Sequence, residues 1–98
     1  MTIDIKRNAD STVIEIVGRL DTITASALDK TINNDLGDIT NLTLNLKGLE
    51  YISSAGIRVL VATQKKMQAL GSMKVTNVRA AVMEVFEMIG FADTLTFA

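Results

Sequence analysis

The fold is decided by the stretch Leu42-Thr43-Leu44-Asn45-Leu46-Lys47, in which apolar and polar residues alternate with a period of two. This alternation predicts a β-strand with one buried face and one wet face. Met73 and Val75 predict a second strand of the same kind. The central strands of a doubly wound α/β sheet are instead apolar on both faces. We therefore expect a two-layer α/β domain, in which the helices all pack on one face of a mixed β-sheet.

The residues before this stretch predict a β-hairpin. Ile3 and Ile5 alternate with polar residues, and Thr12 to Leu20 form a longer strand that is rich in β-branched residues. Between the two strands, Asn8-Ala9-Asp10-Ser11 has the composition of a turn. Because this link is short, we expect the two strands to pair in antiparallel orientation.

Three helices are predicted from apolar residues at helical spacing. The first has Thr24 as its N-cap and ends at Gly37, which can adopt the left-handed conformation. The later strands are joined through helices, so we expect right-handed parallel crossovers after the hairpin. Residues 91–98 are expected to form a brief turn or helix and then an edge segment. The apolar positions of the first helix are Ala25, Leu28, Ile32 and Leu36, and the other two helices, predicted at residues 54–70 and 82–89, end at Gly71 and Gly90.

Composition excludes several classes of function. The 98 residues fit a single domain, 1–98, and they include neither cysteine nor histidine. A disulfide framework, most metal sites and most nucleophile–base pairs therefore cannot form, and we expect no cofactor. The formal net charge is −1 without a basic stripe, which argues against nucleic acid as a partner. The apolar runs are too short for a membrane span, and the first residues do not resemble a signal peptide, so we expect a cytoplasmic protein.

The segment Tyr51–Leu60 carries the strongest functional signal because it joins a strand region to a helix. Ser53 and Ser54 lie in the cap region of that helix, where free N–H groups and the positive end of the helix dipole favour a phosphate. The alternative is that either serine is only an N-cap, worth about 1 kcal/mol. Gly56 costs roughly 1 kcal/mol relative to alanine in a helix, but it lets another backbone approach closely.

Three stretches of the sequence have the residue pattern of known motifs: Gly18–Ala25, Tyr51–Ile57 and Val85–Asp93. Together they span nearly the whole chain and resemble the STAS domain, in particular that of the bacterial anti-sigma factor antagonists. The first is similar to the family's glycine-x-leucine-aspartate turn, and the last to its final helix and glycine turn. The second contains Ser53-Ser54-Ala55-Gly56 and is similar to the family's phosphorylation loop. The resemblance implies the same one-sided sheet that the strand pattern predicts.

The resemblance also implies a switch. In that family an anti-sigma factor with serine kinase activity binds the unphosphorylated domain and releases its sigma factor. The kinase phosphorylates the loop serine, which abolishes binding, and a PP2C-type phosphatase restores it. By position, the phosphoacceptor is Ser54, the glycine after it is Gly56, and the first-loop aspartate is Asp21. Many members have an aspartate before the acceptor where this chain has Ser53, so Ser53 is the alternative acceptor.

A helical wheel at about 100° per residue suggests where the partner docks. It places Ile57 and Val61 on one flank of the core stripe, close to Arg58. The two apolar side chains are either interface anchors or are covered by neighbouring loops. The predicted core stripe comprises Gly56, Val59, Leu60, Thr63, Met67 and Leu70, and the predicted partner-binding residues are Asp21, Thr22, Ser53, Ser54, Gly56, Ile57, Arg58 and Val61.

Two other functions are compatible with the sequence. The chain could be a structural STAS subunit bound to another protein, such as an ABC-transporter ATPase, with its loop serine never modified. A small enzyme that uses Asp21 and Ser54 is disfavoured because no base accompanies the serine. We therefore expect a non-enzymatic binding protein that is a monomer when free.

Overall fold

The computed structural model describes residues 1–9, 11–35 and 39–98, and its elements follow the predicted order with one additional strand. The predicted strands and helices are all present, and the additional strand is a short one directly before the second helix. The elements are β1 Thr2–Asn8, β2 Ser11–Leu20, α1 Thr22–Asp35, β3 Asn41–Asn45, β4 Leu49–Ile52, α2 Ser54–Leu70, β5 Ser72–Thr76 and α3 Ala80–Ile89.

The sheet is mixed, as predicted, with the strand order β1-β2-β3-β5. β1 and β2 form the expected antiparallel hairpin, with Asn8 opposite Ser11, although Asp10 of the turn lies outside the described residues. β2 pairs in parallel with β3 along its first half and with β4 at its end. The register shifts between Gly18 and Arg19, where Gly18 has a φ of +104° that suits glycine. β2 therefore pairs with three other strands.

Burial alternates along the strands, which confirms the one-sided layering. In β2, Ile14 and Ile16 are fully buried, whereas Val13 and Val17 on the other face are 37% and 38% exposed. The alternating stretch at residues 42–47 behaves in the same way, since Leu42, Leu44 and Leu46 form part of the core. The remaining large core residues come from the three helices and the other strands, among them Leu20, Leu28, Ile32, Leu49, Ile52, Ile57, Leu60 and Phe86.

The start of α1 differs from the prediction. Thr24 is not the N-cap: the helix begins at Thr22, and the Asp21 carboxylate accepts hydrogen bonds from the N–H groups of Ile23 (3.0 Å) and Thr24 (2.9 Å). The Thr24 hydroxyl in turn accepts from the Asp21 N–H at 2.8 Å, which completes a reciprocal capping box. Aspartate and threonine are both favoured at the N-cap, so residue type alone does not distinguish Asp21 from Thr24. The hydrogen bonds between them assign the cap to Asp21. The predicted end of this helix at Leu36 and Gly37 lies outside the described residues.

Helix α2 has the predicted bounds, and four residues of the predicted core stripe are buried, but the centre of the buried face is displaced: the four are Gly56, Leu60, Thr63 and Met67. At about 100° per residue, the buried face is rotated by about 60° from the predicted stripe, so Leu70 is 48% exposed. Ile57 is fully buried and Val61 is 9% exposed, so both side chains are covered within the fold and the expectation of exposed apolar anchors is wrong. The C-terminal segment lies on this flank, where the Thr96 N–H donates to the Gln64 side chain at 3.2 Å.

The C-terminal region follows the prediction. Gly90 ends α3 in the left-handed conformation with a φ of 85°, and its N–H donates to the Phe86 carbonyl. A turn follows, and Phe97 then forms a parallel bridge with Val75 at the edge of the sheet. In residues 1–9, 11–35 and 39–98, no helix combines the length and the apolar character that crossing a membrane requires.

Candidate functional site

The first-loop aspartate and the two serines are brought to the same edge of the sheet by strand pairing. β2 ends at Leu20 and β4 ends at Ile52, and these two residues lie opposite each other in a parallel pair. The chain leaves each strand directly into a helix, so α1 and α2 begin side by side. The Ser53 N–H donates to the Leu20 carbonyl at 2.8 Å and joins the two loops.

The two serines have different environments. Ser53 is the N-cap of α2: its backbone is extended, with φ −92° and ψ 169°, and its hydroxyl accepts a hydrogen bond from the Gly56 N–H at 3.2 Å. Ser54 is the first residue of the helix, and its side chain is exposed. The structure thus assigns the capping role, which the sequence left open between the two residues, to Ser53.

Gly56 is buried in the first turn of α2, where it permits a close approach. A Cβ atom at this position would lie 2.8 Å from Cγ of Leu20 and 3.0 Å from Cγ1 of Ile52. The close neighbours are therefore side chains at the ends of β2 and β4 and not the backbone expected from the sequence. Gly56 sets the distance between the serine loop and the two strands that support it.

Asp21 is partly exposed, and it carries a negative charge at this edge. The backbone N–H and then the hydroxyl of Thr24 donate to its carboxylate and lower the pKa of Asp21, with smaller help from Ile23 and Arg19. Burial opposes this shift but does not cancel it. Thr22 lies beside it with its side chain exposed to solvent.

Arg19 and Tyr51 form a contact that the sequence analysis missed. The two residues are partners in the β2–β4 register, and the Arg19 guanidinium lies 4.3 Å from the centre of the Tyr51 ring. Arg19 lies in the motif Gly18–Ala25 and Tyr51 in the motif Tyr51–Ile57, but their proximity depends on β4, which was not predicted as a strand. The contact is a second link between the ends of β2 and β4.

The predicted partner-binding residues thus divide into an exposed group and a buried group. Thr22, Ser54 and Arg58 are exposed, and Asp21 and Ser53 are partly so. Ile23 was not predicted, yet its side chain is 82% exposed beside Asp21. Its signal in the sequence is an apolar residue outside the periodic positions of α1. The buried group consists of Gly56, Ile57 and Val61.

The whole chain matches one protein family. It belongs to the STAS domain family, whose pattern it matches over residues 2–98. It is 26% identical over 96 residues to the anti-sigma-B factor antagonist of Bacillus subtilis (strain 168), an alignment that covers 97% of this chain and 88% of that protein. The resemblance inferred from the three motifs is therefore confirmed.

Two solved structures of SpoIIAA have the same fold. The anti-sigma factor antagonist SpoIIAA in its unphosphorylated form is 19% identical, with a TM-score of 0.82 over 99% of this chain and 88% of that one. The Bacillus cell fate determinant SpoIIAA in the phosphorylated form is also 19% identical, with a TM-score of 0.77 over 99% of this chain and 91% of that one. At this level of identity, the likeness establishes the two-layer fold.

Proposed function

We propose that this chain is an anti-sigma factor antagonist whose binding is controlled by phosphorylation of Ser54. In the unphosphorylated form it sequesters an anti-sigma factor with serine kinase activity, which frees the sigma factor. The kinase phosphorylates Ser54 and the complex dissociates, and a PP2C-type phosphatase returns the chain to its binding form. Membership of the STAS family and the name of the Bacillus subtilis relative support this proposal.

The observation that carries the proposal is the division of roles between Ser53 and Ser54. The Ser53 hydroxyl is held by the Gly56 N–H, whereas Ser54 is exposed at the start of a 17-residue helix. A kinase must bring the accepting hydroxyl into its own active site, which favours the exposed residue. A phosphate on Ser54 would lie at the positive end of the helix dipole, so the modified chain would stay folded.

Release of the partner follows from charge and desolvation. A phosphate on Ser54 adds up to two negative charges to an edge that already carries the Asp21 carboxylate. A partner that docks on this edge would have to remove water from that phosphate, and unpaired buried charge is strongly unfavourable. Phosphorylation thus acts by changing a surface and leaves the fold in place.

The experiment is phosphotransfer from each anti-sigma factor kinase encoded in the same genome, followed by intact-mass measurement and peptide mapping. The variants are Ser54→Ala and Ser53→Asn, because asparagine keeps the N-cap of α2 while removing the hydroxyl. We expect the parent and Ser53→Asn to gain one phosphate on Ser54, and Ser54→Ala to gain none.

Two outcomes would contradict the proposal. If Ser54→Ala is still phosphorylated and the phosphate maps to Ser53, then the acceptor is assigned to the wrong serine. If the parent forms a stable complex with another protein, such as a transporter ATPase, and never gains a phosphate, then the structural-subunit hypothesis is correct.

A further inference from the structure

Arg58 differs from the other arginines of the chain, of which there are four in all. Arg19 lies against the Tyr51 ring, and the Arg79 Nε donates to the Lys47 carbonyl at 2.9 Å. Arg7 has a partner as well. Arg58 is exposed on α2, and it makes no hydrogen bond, ion pair or ring contact within residues 1–9, 11–35 and 39–98. Its guanidinium is available to a ligand from outside the chain.

Arg58 lies one helical turn after the proposed phosphoacceptor. Ser54 and Arg58 are four residues apart in α2, which corresponds to about 6 Å along the axis and about 40° around it. Side chains at this spacing face each other on the surface of a helix, and an acidic group before a basic one is the favourable order. Both side chains are exposed. A phosphate on Ser54 is therefore within reach of the Arg58 guanidinium without any change in the backbone.

Resting on the proposed function, we infer that Arg58 is the contact through which phosphorylation controls binding. In the unphosphorylated chain, Arg58 binds a carboxylate of the anti-sigma factor. In the phosphorylated chain, the Ser54 phosphate pairs with Arg58 within the same helix, so the guanidinium is withdrawn from the partner. Phosphorylation thus removes a positive contact as well as adding negative charge.

The chemistry of arginine supports both halves of this exchange. A planar guanidinium binds carboxylates and phosphates through two parallel hydrogen bonds, and the doubly charged phosphate is the stronger ligand. Asp21, the acidic group described in the site, makes no ion pair with Arg58 in the part of the chain that the structure describes, and its Oδ1 accepts from the N–H groups of Ile23 and Thr24. The partner carboxylate and the phosphate are then the two ligands between which Arg58 is exchanged.

The pairing within the helix can be tested without any kinase or partner. Phosphoserine is incorporated at position 54 during translation in the parent, in Arg58→Gln and in Lys65→Gln. Lys65 is an exposed cation on the same helix, about 16 Å from Ser54 along the axis, so its variant is the matched control. At low salt we expect the phosphate to raise the Tm of the parent and of Lys65→Gln by a few degrees more than that of Arg58→Gln. About 1 M salt should abolish this difference.

An equal effect of the phosphate on the Tm of all three chains would overturn the pairing. NMR provides a second reading that does not depend on stability: the Arg58 Nε–H resonance should shift downfield in the phosphorylated parent. An unchanged Arg58 resonance would also overturn it.

The contact with the partner is tested by titrating the same three chains with the anti-sigma factor identified by phosphotransfer. We expect unphosphorylated Arg58→Gln to bind about tenfold more weakly than the parent, while Lys65→Gln binds as the parent does. Phosphorylation should then reduce the affinity of Arg58→Gln by a factor about tenfold smaller than for the parent, because one of its two effects is already absent.

The outcomes distinguish this inference from the proposed function. If Arg58→Gln binds as tightly as the parent and loses the same factor on phosphorylation, the contact is refuted while the antagonist function stands. If no anti-sigma factor binds the parent, the proposed function fails and the partner contact fails with it. The pairing within the helix is judged separately by the Tm and NMR measurements.

Discussion

Ser53 and Ser54 have the same side chain, and only their positions at the helix start separate the capping residue from the exposed residue that we propose as the phosphoacceptor. Ser53 supplies the cap and Ser54 is exposed. We expect Ser53→Ala to lower the free energy of unfolding by about 0.5–2 kcal/mol and Ser54→Ala to change it by about 0.5 kcal/mol or less. Urea unfolding measures both, and Ser53→Asn should restore most of the loss. Equal losses in the two alanine variants would contradict the assignment of the cap.

Gly56 provides a second test at the residue scale, in which the sign of the change in the free energy of unfolding is decisive. A glycine-to-alanine change within an exposed helix normally stabilises by about 1 kcal/mol. Here the new methyl group would lie 2.8 Å from Cγ of Leu20, so we expect Gly56→Ala to destabilise the fold by about 1–3 kcal/mol. Urea unfolding of this variant beside Ala62→Gly, at an exposed position of the same helix, checks both directions. If Gly56→Ala stabilised the fold, the side chains of Leu20 and Ile52 would have to accommodate the methyl group without strain.

The capping carboxylate predicts a dependence of stability on pH. Hydrogen bonds from Thr24 lower the pKa of Asp21 in the folded chain below the ordinary value of 3.8. A lowered folded pKa stabilises the fold above the ordinary value, and this stabilisation is lost as the pH falls through the folded pKa. Asp21→Asn keeps a capping oxygen but loses the charge.

The measurement is the free energy of unfolding of the parent and of Asp21→Asn between about pH 6 and about pH 2. We expect the advantage of the parent to shrink as the pH falls, whereas Glu84→Gln, on the exposed side of α3, serves as the control. A difference that is constant over this range would mean that the Asp21 charge does not contribute to the cap.

At the scale of elements, the orientation of α2 predicts opposite outcomes for two isoleucines. Ile57 is fully buried, whereas Ile23 in α1 is 82% exposed. We expect Ile57→Ala to lower the free energy of unfolding by about 2–5 kcal/mol and the identical change at Ile23 to alter it by about 0.5 kcal/mol or less. Chemical denaturation measures the stability, and titration of the partner measures affinity per folded molecule.

The two measurements together separate folding from docking. If Ile57→Ala leaves the stability unchanged but weakens binding, then the residue is an interface anchor and α2 is turned towards the partner. We expect the reverse, since the buried side chain acts through the fold.

The same helix shows what the sequence determines about an element and what it does not. The ends of α2 were predictable because a serine cap and a following glycine are local signals. The face that it buries was not, because that depends on packing against segments distant in sequence, such as the C-terminal segment, where Thr96 contacts Gln64 from more than thirty residues away. β4 was missed for a different, local reason. Leu49–Ile52 is only four residues long, and its two central residues are both exposed, so it lacks the alternation that predicts a strand.

At the scale of the whole molecule, the layer architecture was predictable because it follows from the polar faces of two strands, and burial confirms it. The site could be predicted only in part. Motif positions indicated Ser54, Gly56 and Asp21, but the Arg19–Tyr51 contact required the long-range register between β2 and β4. Features that depend on pairing between distant segments are the ones that a single sequence leaves open.

The proposal that the fold is the same with and without a phosphate on Ser54 can be tested. We expect Ser54→Asp to lose affinity for the anti-sigma factor by at least about tenfold while its circular dichroism spectrum matches that of the parent. Ser54→Asn, which is similar in shape but uncharged, is the matched control and should keep most of its affinity. A large loss of secondary structure in Ser54→Asp would show that negative charge at this position acts by unfolding the domain.

The links between the ends of β2 and β4 also determine which segments must be exchanged to transfer the binding specificity of one relative to another. The hydrogen bond from the Ser53 N–H to the Leu20 carbonyl and the contact of Arg19 with the Tyr51 ring join two strand ends that are distant in sequence. A graft of residues 49–58 alone would set one parent's serine loop against the other parent's strand end. Residues 18–25 and 49–58 form a composite unit, and a chimaera should inherit the donor's partner only when both segments are exchanged together.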